Sequence, residues 1–325
     1  TIAKGHRTMP KRSSGRGIVF DRDSREYWNK RAATFTRTAT RAYEHWLMKL
    51  LALDPSDTVL DMGCATGTLA VPLAKRGHHV HACDFAEAML AILSKRAARD
   101  RLPITAHLLA WEDDWEAAGL GADSVDVAFA SRSLVADGVR AHIGKLDSAA
   151  RTKAAVTVSA SPLPSYEPRL LTHLGRVAKR PHAVQDVKRA LSGMGRVPFC
   201  ASTTTFRPMR FASFDEARAD LRRLAGPEPF TPGEQKLFDA YASEHFTCVP
   251  RPNPTGERSG HWTLDYTLPV TWTFIGWTGA NGSRRSGTAG RGGAAGPRGA
   301  AAATWAGAGG AAARLIRRWG GVGAL

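Results

Sequence analysis

A short segment near residue 60 constrains the fold of this chain more than any other part. Residues 58–74 read TVLDMGCATGTLAVPLA, where a β-prone run ends at Gly63, a turn closes at Gly67, and an apolar stretch of helical spacing follows. Glycine adopts the positive φ angles of a tight turn and lets a ligand approach the backbone. Strand, glycine turn and helix in this order predict the first unit of a nucleotide-binding α/β domain.

The acid before the turn indicates which nucleotide is bound. Asp61 lies two residues before Gly63, at the expected carboxyl end of the strand. A carboxylate there would repel a pyrophosphate at the helix N-terminus, whereas a ligand with an ammonium and a sulfonium would be attracted. Ala65 and Thr68 also stand where a G-x-G-x-x-G dinucleotide fingerprint has its second and third glycines. A positively charged nucleotide is therefore favoured.

These residues resemble the first motif of the class I S-adenosylmethionine (SAM)-dependent methyltransferases, which has the form acid-x-Gly-x-Gly/Ala-x-Gly. The resemblance implies a Rossmann-like methyltransferase fold, an α/β architecture in which a mostly parallel seven-stranded sheet has helices on both faces. It implies SAM as the cofactor and methyl transfer as the reaction. The cofactor-binding residues that it implies in this motif are Asp61, Gly63, Cys64, Ala65 and Gly67.

A second acid supports nucleotide binding. Residues 79–84, HVHACD, form the next predicted strand, which ends at Asp84. A carboxylate at this place can accept hydrogen bonds from both ribose hydroxyls in either nucleotide family. The resemblance adds Phe85, the apolar residue after the acid, and Met89, which the family places near the adenine. A helix-core position explains Met89 equally well.

The loop after the third predicted strand completes the implied cofactor site. It reads AWEDDW, from residue 110 to residue 115. In the family, a carboxylate from this loop binds the adenine amino group, and neighbouring side chains cover the ring. Asp113 or Asp114 fits the first role, and Trp111 or Trp115 fits the second. A solvated acidic loop is the alternative.

The segment after the fourth predicted strand faces the methyl-transfer site in the family. Ser131, a further implied cofactor contact, begins a Ser-Arg-Ser-Leu sequence where many relatives have an acidic or aromatic motif. It resembles a group of bacterial methyltransferases whose substrate does not carry over. A loop whose hydroxyls cap the next helix is the alternative. Asp137 and His142 are the candidate catalytic bases, Tyr166 is a weaker one, and a base is needed only for a protonated acceptor.

The chain divides into one domain, residues 22–277, and two tails. Residues 1–21 are polar and basic, and residues 278–325 are rich in Gly, Ala and Arg, so both are predicted to be disordered. Most of the net charge of +16 lies in the tails, and a nucleic acid is therefore expected to bind only through them. No apolar run is long enough for a membrane span. Four cysteines without a C-x-x-C pair predict reduced thiols in a cytoplasmic protein.

Three local patterns complete the predictions within the domain. Apolar residues of helical spacing predict a helix over residues 23–53, and alternation over residues 261–277 predicts a strand or hairpin. His78, His79 and His81 cluster, but adjacent strand residues point to opposite faces, so exposed histidines are predicted and no metal site.

The sequence thus predicts a SAM-dependent methyltransferase that acts on an unidentified, small-molecule acceptor. One alternative is an NAD(P)-dependent oxidoreductase with a Rossmann domain, against which Asp61 and the missing glycines count. The other is a methyltransferase-like protein that binds SAM without turnover, which the Ser-Arg-Ser segment keeps open. The oligomeric state is not predicted.

Overall fold

The described residues form a central sheet with helices packed against it. A computed structural model describes residues 24–33, 35, 41–134, 138–162, 166–177, 183–207, 209–250 and 260–279. The strands are β1 (Val59–Met62), β2 (Val80–Asp84), β3 (Ile104–Leu108), β4 (Val125–Ser131), β5 (Ala150–Ser159), β6 (Phe199–Arg207), β7 (Phe246–Pro250), β8 (Gly260–Leu264) and β9 (Leu268–Thr278). The helices are α1 (Arg25–Ala32), α2 (Arg41–Leu51), α3 (Ala70–Ala74), α4 (Glu87–Asp100), α5 (Val139–Ala149), α6 (Pro168–His173), α7 (Ala183–Ser192), α8 (Phe214–Arg223) and α9 (Pro232–His245).

Seven strands make one mostly parallel sheet, as predicted. Their order is β3-β2-β1-β4-β5-β9-β6. Every neighbouring pair from β3 to β5 is parallel, and β9 is antiparallel to both β5 and β6. The chain order reverses between β1 and β4. In open α/β sheets, ligands bind in the crevice outside the carboxyl ends of the strands at such a reversal.

The two faces of the sheet bury separate cores, which confirms helices on both faces. Along β1, Val59 packs into one core and Leu60 into the other, because successive strand residues point to opposite faces. Helices α2 and α3 pack on the Val59 side. Helices α5 and α7 pack on the Leu60 side.

The N-terminal helical region differs from the prediction of one helix over residues 23–53. Helix α1 ends at Ala32 and helix α2 begins at Arg41. Residue 34 and residues 36–40 lie outside the described residues, and the sequence has threonine at every second position from residue 34 to residue 40. Threonine is a poor helix former because its β-branched side chain loses rotamer freedom in a helix.

The predicted hairpin within residues 261–277 is wrong in its pairing. Strand β8 pairs with β7 in a separate two-stranded sheet, and β9 inserts between β5 and β6. The sequence analysis missed β7, because only its first residue is buried and no alternation of apolar and polar residues results.

A cap packs over the carboxyl end of the sheet on the Val59 side. It consists of α6, α8, α9 and the β7–β8 pair, which the chain forms between the end of β5 and the start of β9. Apolar residues of its three helices, including Leu170, Leu221 and Phe238, are fully buried in the same core as α2 and α3. The cap therefore forms one side of the crevice.

A buried polar junction ties the end of β9 to α5. Asp147 accepts hydrogen bonds from Trp277 Nε1 at 2.9 Å and from two guanidinium nitrogens of Arg196 at 2.9 and 2.8 Å. Both carboxylate oxygens are thereby used. A paired and fully bonded charge is tolerated inside a protein, whereas a half-paired one is costly.

The last strand of the central sheet extends past residue 277, where the domain was predicted to end, into residues assigned to the disordered tail. Strand β9 runs through Thr278, and the amide of Gly279 donates to the Thr152 carbonyl at 2.9 Å. The disorder predicted for residues 1–21, and for the tail from residue 280 onward, concerns residues outside the described part. None of the described helices is both long and apolar enough to cross a membrane.

Candidate functional site

The glycine turn lies at the crevice between the carboxyl ends of β1 and β4, and its backbone amides are used internally. The amides of Gly63 and Cys64 donate to the Cys83 carbonyl at 2.8 and 2.9 Å. The Ala65 amide donates to Asp84 Oδ2 at 2.8 Å, and the Gly67 amide donates to the Cys64 carbonyl at 2.9 Å. A phosphate-binding turn needs such amides to point at the ligand. These four are already bonded within the protein.

The two glycines are required by neighbouring side chains of the protein itself. Gly63 has a φ of +77°, and a Cβ there would lie 2.2 Å from the Cβ of Ser133. Gly67 has a φ of +85°, and a Cβ there would lie 2.4 Å from Leu93 Cδ1. The sequence analysis attributed these glycines to positive φ, which both of them have, and to ligand approach. The structure shows side chains in those spaces, so the glycines allow the turn to pack against the segment after β4 and against α4.

Asp61 is a buried carboxylate with an incomplete set of partners. It is 2% exposed, and its Oδ2 has no hydrogen-bond partner among the described residues. Burial, together with the charge of Asp84, raises the pKa of Asp61 to about 8. The backbone amide of Ala70, in the first turn of α3, favours the ionised form of the carboxylate and so opposes the rise of its pKa. A bound cation would supply the charge partner that this carboxylate lacks.

Asp84 joins the turn to the start of α4. Its Oδ2 accepts from the Ala65 amide at 2.8 Å, and its Oδ1 accepts from the Ala86 amide at 2.9 Å. Burial raises the pKa of Asp84, and these amides oppose the rise. Each carboxylate oxygen can accept a further hydrogen bond, because it has two lone pairs. The residue can therefore hold the turn and accept from ribose hydroxyls at the same time.

Helix α1 packs beside the turn through a small apolar cluster. Met89 is fully buried there with Ala32 and Ala86, and Trp28 and Ala65 pack against them. Met89 is thus a core residue, as the alternative predicted, and the place near the adenine that the resemblance implies stays a prediction. Phe85, the neighbour of Asp84, is half-buried.

Asn29 fixes α1 on the first turn of α4. Its Oδ1 accepts from the Ala88 amide at 3.0 Å, and its Nδ2 donates to Glu87 Oε2 at 2.8 Å. The N-cap residue of α4 is Ala86, whose side chain cannot cap the helix. A residue of α1 therefore supplies the cap that the sequence of α4 lacks.

Trp111 lies beside the Ser-Arg-Ser segment, where a hydrogen bond and ring stacking hold it in place. It is buried, its Nε1 donates to the Ser133 carbonyl at 3.1 Å, and its ring stacks on Trp115. Asp113 Oδ2 accepts from the Ala110 amide, and Asp114 Oδ1 accepts from two amides of residues 116 and 117. Both acids are exposed and stabilise their own loop. An adenine contact from either one stays a prediction.

His142 packs against Trp111. Its ring stacks on Trp111 with 4.8 Å between centroids, and its Nδ1 has no partner within the described residues. Burial lowers the pKa of His142, so the ring is neutral at neutral pH. The other predicted base, Asp137, lies outside the described residues. Tyr166 lies just before α6, where its amide donates to the Pro162 carbonyl.

Ser131 belongs to a buried hydroxyl network that the sequence analysis missed. The Tyr43 hydroxyl of α2 lies 2.9 Å from Ser131 Oγ and 2.8 Å from Thr157 Oγ1 of β5. Burial raises the pKa of Tyr43, so its hydroxyl stays protonated at neutral pH. An aromatic residue on the helix before the first motif was the only signal in the sequence, and it does not identify partners so distant in the chain.

Arg132 and Ser133, the rest of the Ser-Arg-Ser segment, lie between the glycine turn and the remainder of the crevice. Ser133 Oγ donates to the Met62 carbonyl at 2.5 Å. Arg132 has a φ of +60°, and its amide donates to both the carbonyl and the hydroxyl of Thr157 at 3.1 Å. The segment is thus anchored to β1 and β5. No helix cap involves its hydroxyls in the described hydrogen bonds, contrary to the alternative considered above.

The cysteines and histidines near the turn are structural. Cys64 and Cys83 are buried free thiols, and burial raises the pKa of both. His78 is buried, contrary to expectation, with its Nδ1 3.1 Å from the Asp57 carbonyl. His81 Nδ1 lies 3.0 Å from Nε2 of His107 on β3. In the described parts of the chain, no three metal-ligating side chains are arranged to hold a metal ion.

Comparisons with known proteins agree with this geometry for the first half of the sheet. Residues 59–151 match the family model of a methyltransferase domain. An uncharacterised protein of Haemophilus influenzae is 31% identical over 134 residues, which is 40% of this chain and 48% of that protein. Magnesium protoporphyrin IX methyltransferase of Arabidopsis thaliana is 33% identical over 150 residues, 42% of this chain and 46% of that protein. The chain thus spans about half the length of these curated relatives.

Two solved structures are similar over a larger share of the chain. Geranyl diphosphate C-methyltransferase from Streptomyces coelicolor covers 80% of this chain and 86% of its own, at 14% identity and a TM-score of 0.43. The YcgJ protein from Bacillus subtilis covers 74% of this chain and 99% of its own, at 12% identity and a TM-score of 0.47.

Proposed function

We propose, from the methyltransferase domain matched by residues 59–151, that this protein is a class I SAM-dependent methyltransferase that acts on a small molecule. The observation that carries the proposal is the buried, half-satisfied carboxylate of Asp61 beside the glycine turn. A cation bound there would favour the ionised form of a group that burial otherwise keeps protonated. SAM carries two positive charges, on its sulfonium and its ammonium.

The same observation counts against a dinucleotide. A pyrophosphate would lie beside the Asp61 carboxylate at the start of α3, where the two negative charges would repel each other. It would also find the four turn amides already bonded to carbonyl and carboxylate oxygens. An anion in this place would lie next to two acids, Asp61 and Asp84, and the guanidinium of Arg96, which contacts the turn, already donates to the Thr66 carbonyl at 2.7 Å. An NAD(P)-dependent oxidoreductase is therefore not favoured.

The residues of the turn would hold the cofactor in distinct ways. Asp84 would accept from the ribose hydroxyls with its remaining lone pairs, and Asp61 would face the positive charges. Trp111 and Met89 would exclude water from the adenine side. When bound, the cofactor supplies an already activated methyl group, so the protein mainly has to orient the acceptor and exclude water.

The four cysteines support a reducing compartment such as the cytoplasm. Cys200 and Cys248 are exposed and free, and the buried pair is free as well. Free exposed thiols persist where thiol reductants are present.

Calorimetric titration of the full chain tests the proposal. SAM and S-adenosylhomocysteine (SAH) should bind, and NAD⁺ and NADP⁺ should not. SAM incubated with the protein and a metabolite extract should be converted to SAH, which separates an enzyme from a SAM-binding protein without turnover. Binding of NADP⁺ in preference to SAM would refute the proposal.

A further inference from the structure

One basic side chain on the acceptor side of the crevice is not neutralised. Arg132, after the carboxyl end of β4, is half-buried, and its guanidinium lies 4.5 Å from the Tyr43 ring centroid and 5.3 Å from that of Trp272. Within the described residues it makes no ion pair. The nearby carboxylate that acts on its charge is that of Glu44. A guanidinium stacked on aromatic rings keeps its planar row of N–H donors available for an anion.

The backbone of Arg132 is held in an unfavourable conformation. Its φ of +60° lies in the left-handed region, which is unfavourable for a non-glycine residue. Two hydrogen bonds from its amide to Thr157 hold it there. Such strain is concentrated at functional sites, where it fixes the direction of a side chain. Here it directs the guanidinium to the aromatic pair.

A second basic side chain on this face of the sheet is paired with a carboxylate. By the register of β6 with β9, Arg207 lies on the same face of the sheet as Trp272, and its charge is paired with Asp220 at 2.8 Å. Among the described residues, Arg207 is therefore paired, whereas Arg132 makes no ion pair.

We infer, resting on the proposed methyltransferase function, that the acceptor carries an anionic group, a carboxylate or a phosphate, and that Arg132 binds this group. The buried rings of Tyr43 and Trp272 would hold the guanidinium in place. Arg132 is then a substrate-binding residue that positions the acceptor beside the glycine turn.

Three probes that share a naphthalene ring and differ in the attached group test the inference. Saturation-transfer NMR titrations of the full chain, with SAH present in excess, would use 1-naphthoate, 1-naphthyl phosphate and the neutral 1-naphthamide. At least one anion should bind wild-type protein, and the amide should bind at least tenfold more weakly. The stronger of the two anions distinguishes a carboxylate acceptor from a phosphate acceptor.

Variants connect the effect to one residue. Arg132→Gln should weaken anion binding by about 10- to 100-fold, as expected for the loss of charge-assisted hydrogen bonds. Arg132→Lys should recover part of it, and it covers the case in which the glutamine variant does not fold. Arg140→Gln, on α5 at the opposite face of the sheet, removes the same charge and should leave the anion affinity unchanged.

The outcomes separate the inference from the proposed function. Failure of SAH to bind wild-type protein would refute the proposed function. If SAH binds but neither anion does, or if the amide binds as tightly as the anions, the inference is refuted alone. It is also refuted if Arg132→Gln binds SAH and the anions like wild type.

Discussion

Replacing Asp61 by asparagine should change how the stability of this protein depends on pH. Asp61 is buried, its Oδ2 lacks a partner among the described residues, and its pKa is raised from 3.8 to about 8. Between these values the unfolded chain has lost a proton that the folded protein keeps. Folding therefore takes up a proton, and the free energy of unfolding falls as the pH rises towards 8. Asparagine cannot ionise, so Asp61→Asn removes this contribution.

The size of the effect follows from the shift. One titrating group changes the free energy of unfolding by about 1.4 kcal/mol per pH unit within its window. From about pH 4 to about pH 7 the wild-type protein should lose up to about 4 kcal/mol relative to Asp61→Asn. This value is an upper limit, because Asp84 titrates together with Asp61.

Denaturant titrations at pH 5, 6, 7 and 8 would measure the difference between the two proteins. Asparagine in this site changes the free energy of unfolding by the same amount at every pH. It therefore shifts the curve of unfolding free energy against pH without changing its slope. Asp126→Asn serves as the control, because the pKa of Asp126 is lowered to about 2 and the group stays ionised in both states throughout this range. Parallel curves for wild type and Asp61→Asn would show that Asp61 titrates normally and would refute the reasoning.

Three further substitutions test other parts of the site and the fold. Asp84→Asn should weaken SAM binding by about 10- to 100-fold, measured by calorimetry, and lower stability by about 1–3 kcal/mol, because one of two bonded amides loses its acceptor; unchanged affinity in a folded variant would contradict it. Gly63→Ala should lower the free energy of unfolding by about 2–4 kcal/mol in denaturant titrations, because alanine is strained at positive φ and its Cβ would overlap a neighbouring side chain. Gly77 has a φ of +96° and no atom within 4 Å of an added Cβ, so Gly77→Ala should lower it only by the cost of positive φ. Equal losses in the two variants would contradict the overlap. Asp147→Asn should lower the free energy of unfolding by about 2–4 kcal/mol because a buried pair is broken, and Asp186→Asn, in an exposed pair, by at most about 1 kcal/mol; a similar loss in both would be inconsistent with burial as the cause.

The first half of the sheet could be predicted because its signals are local. The strand, turn and helix around Gly63 lie within 17 consecutive residues, 58–74, and the pattern specifies both the fold and the place of Asp61. Asp84 could be located from the end of the next strand. The methyltransferase-domain match over residues 59–151 covers this same part.

The remainder depends on contacts between distant residues. The Tyr43 hydroxyl meets Ser131 and Thr157, which are 88 and 114 residues away in the chain. Side-chain periodicity gives the face of each element but not its partner. For the same reason, the position of β9 between β5 and β6 could not be derived from alternation alone. The direction of the Arg132 side chain depends on a left-handed backbone that a non-glycine residue rarely adopts.

The side-chain hydrogen bonds by which Asn29 caps the first turn of helix α4 have a consequence for ligand entry. Because α1 lies against the glycine turn, a nucleotide has to pass it, and any movement of α1 away from the turn removes the acceptor from the Ala88 amide. The first turn of α4 would then fray, and α4 begins three residues after Asp84, the acid that we propose for the ribose hydroxyls. Entry of the ligand is in this way coupled to local unwinding of the first turn of α4. Amide hydrogen exchange at Ala88 would report how often α1 moves away from the glycine turn.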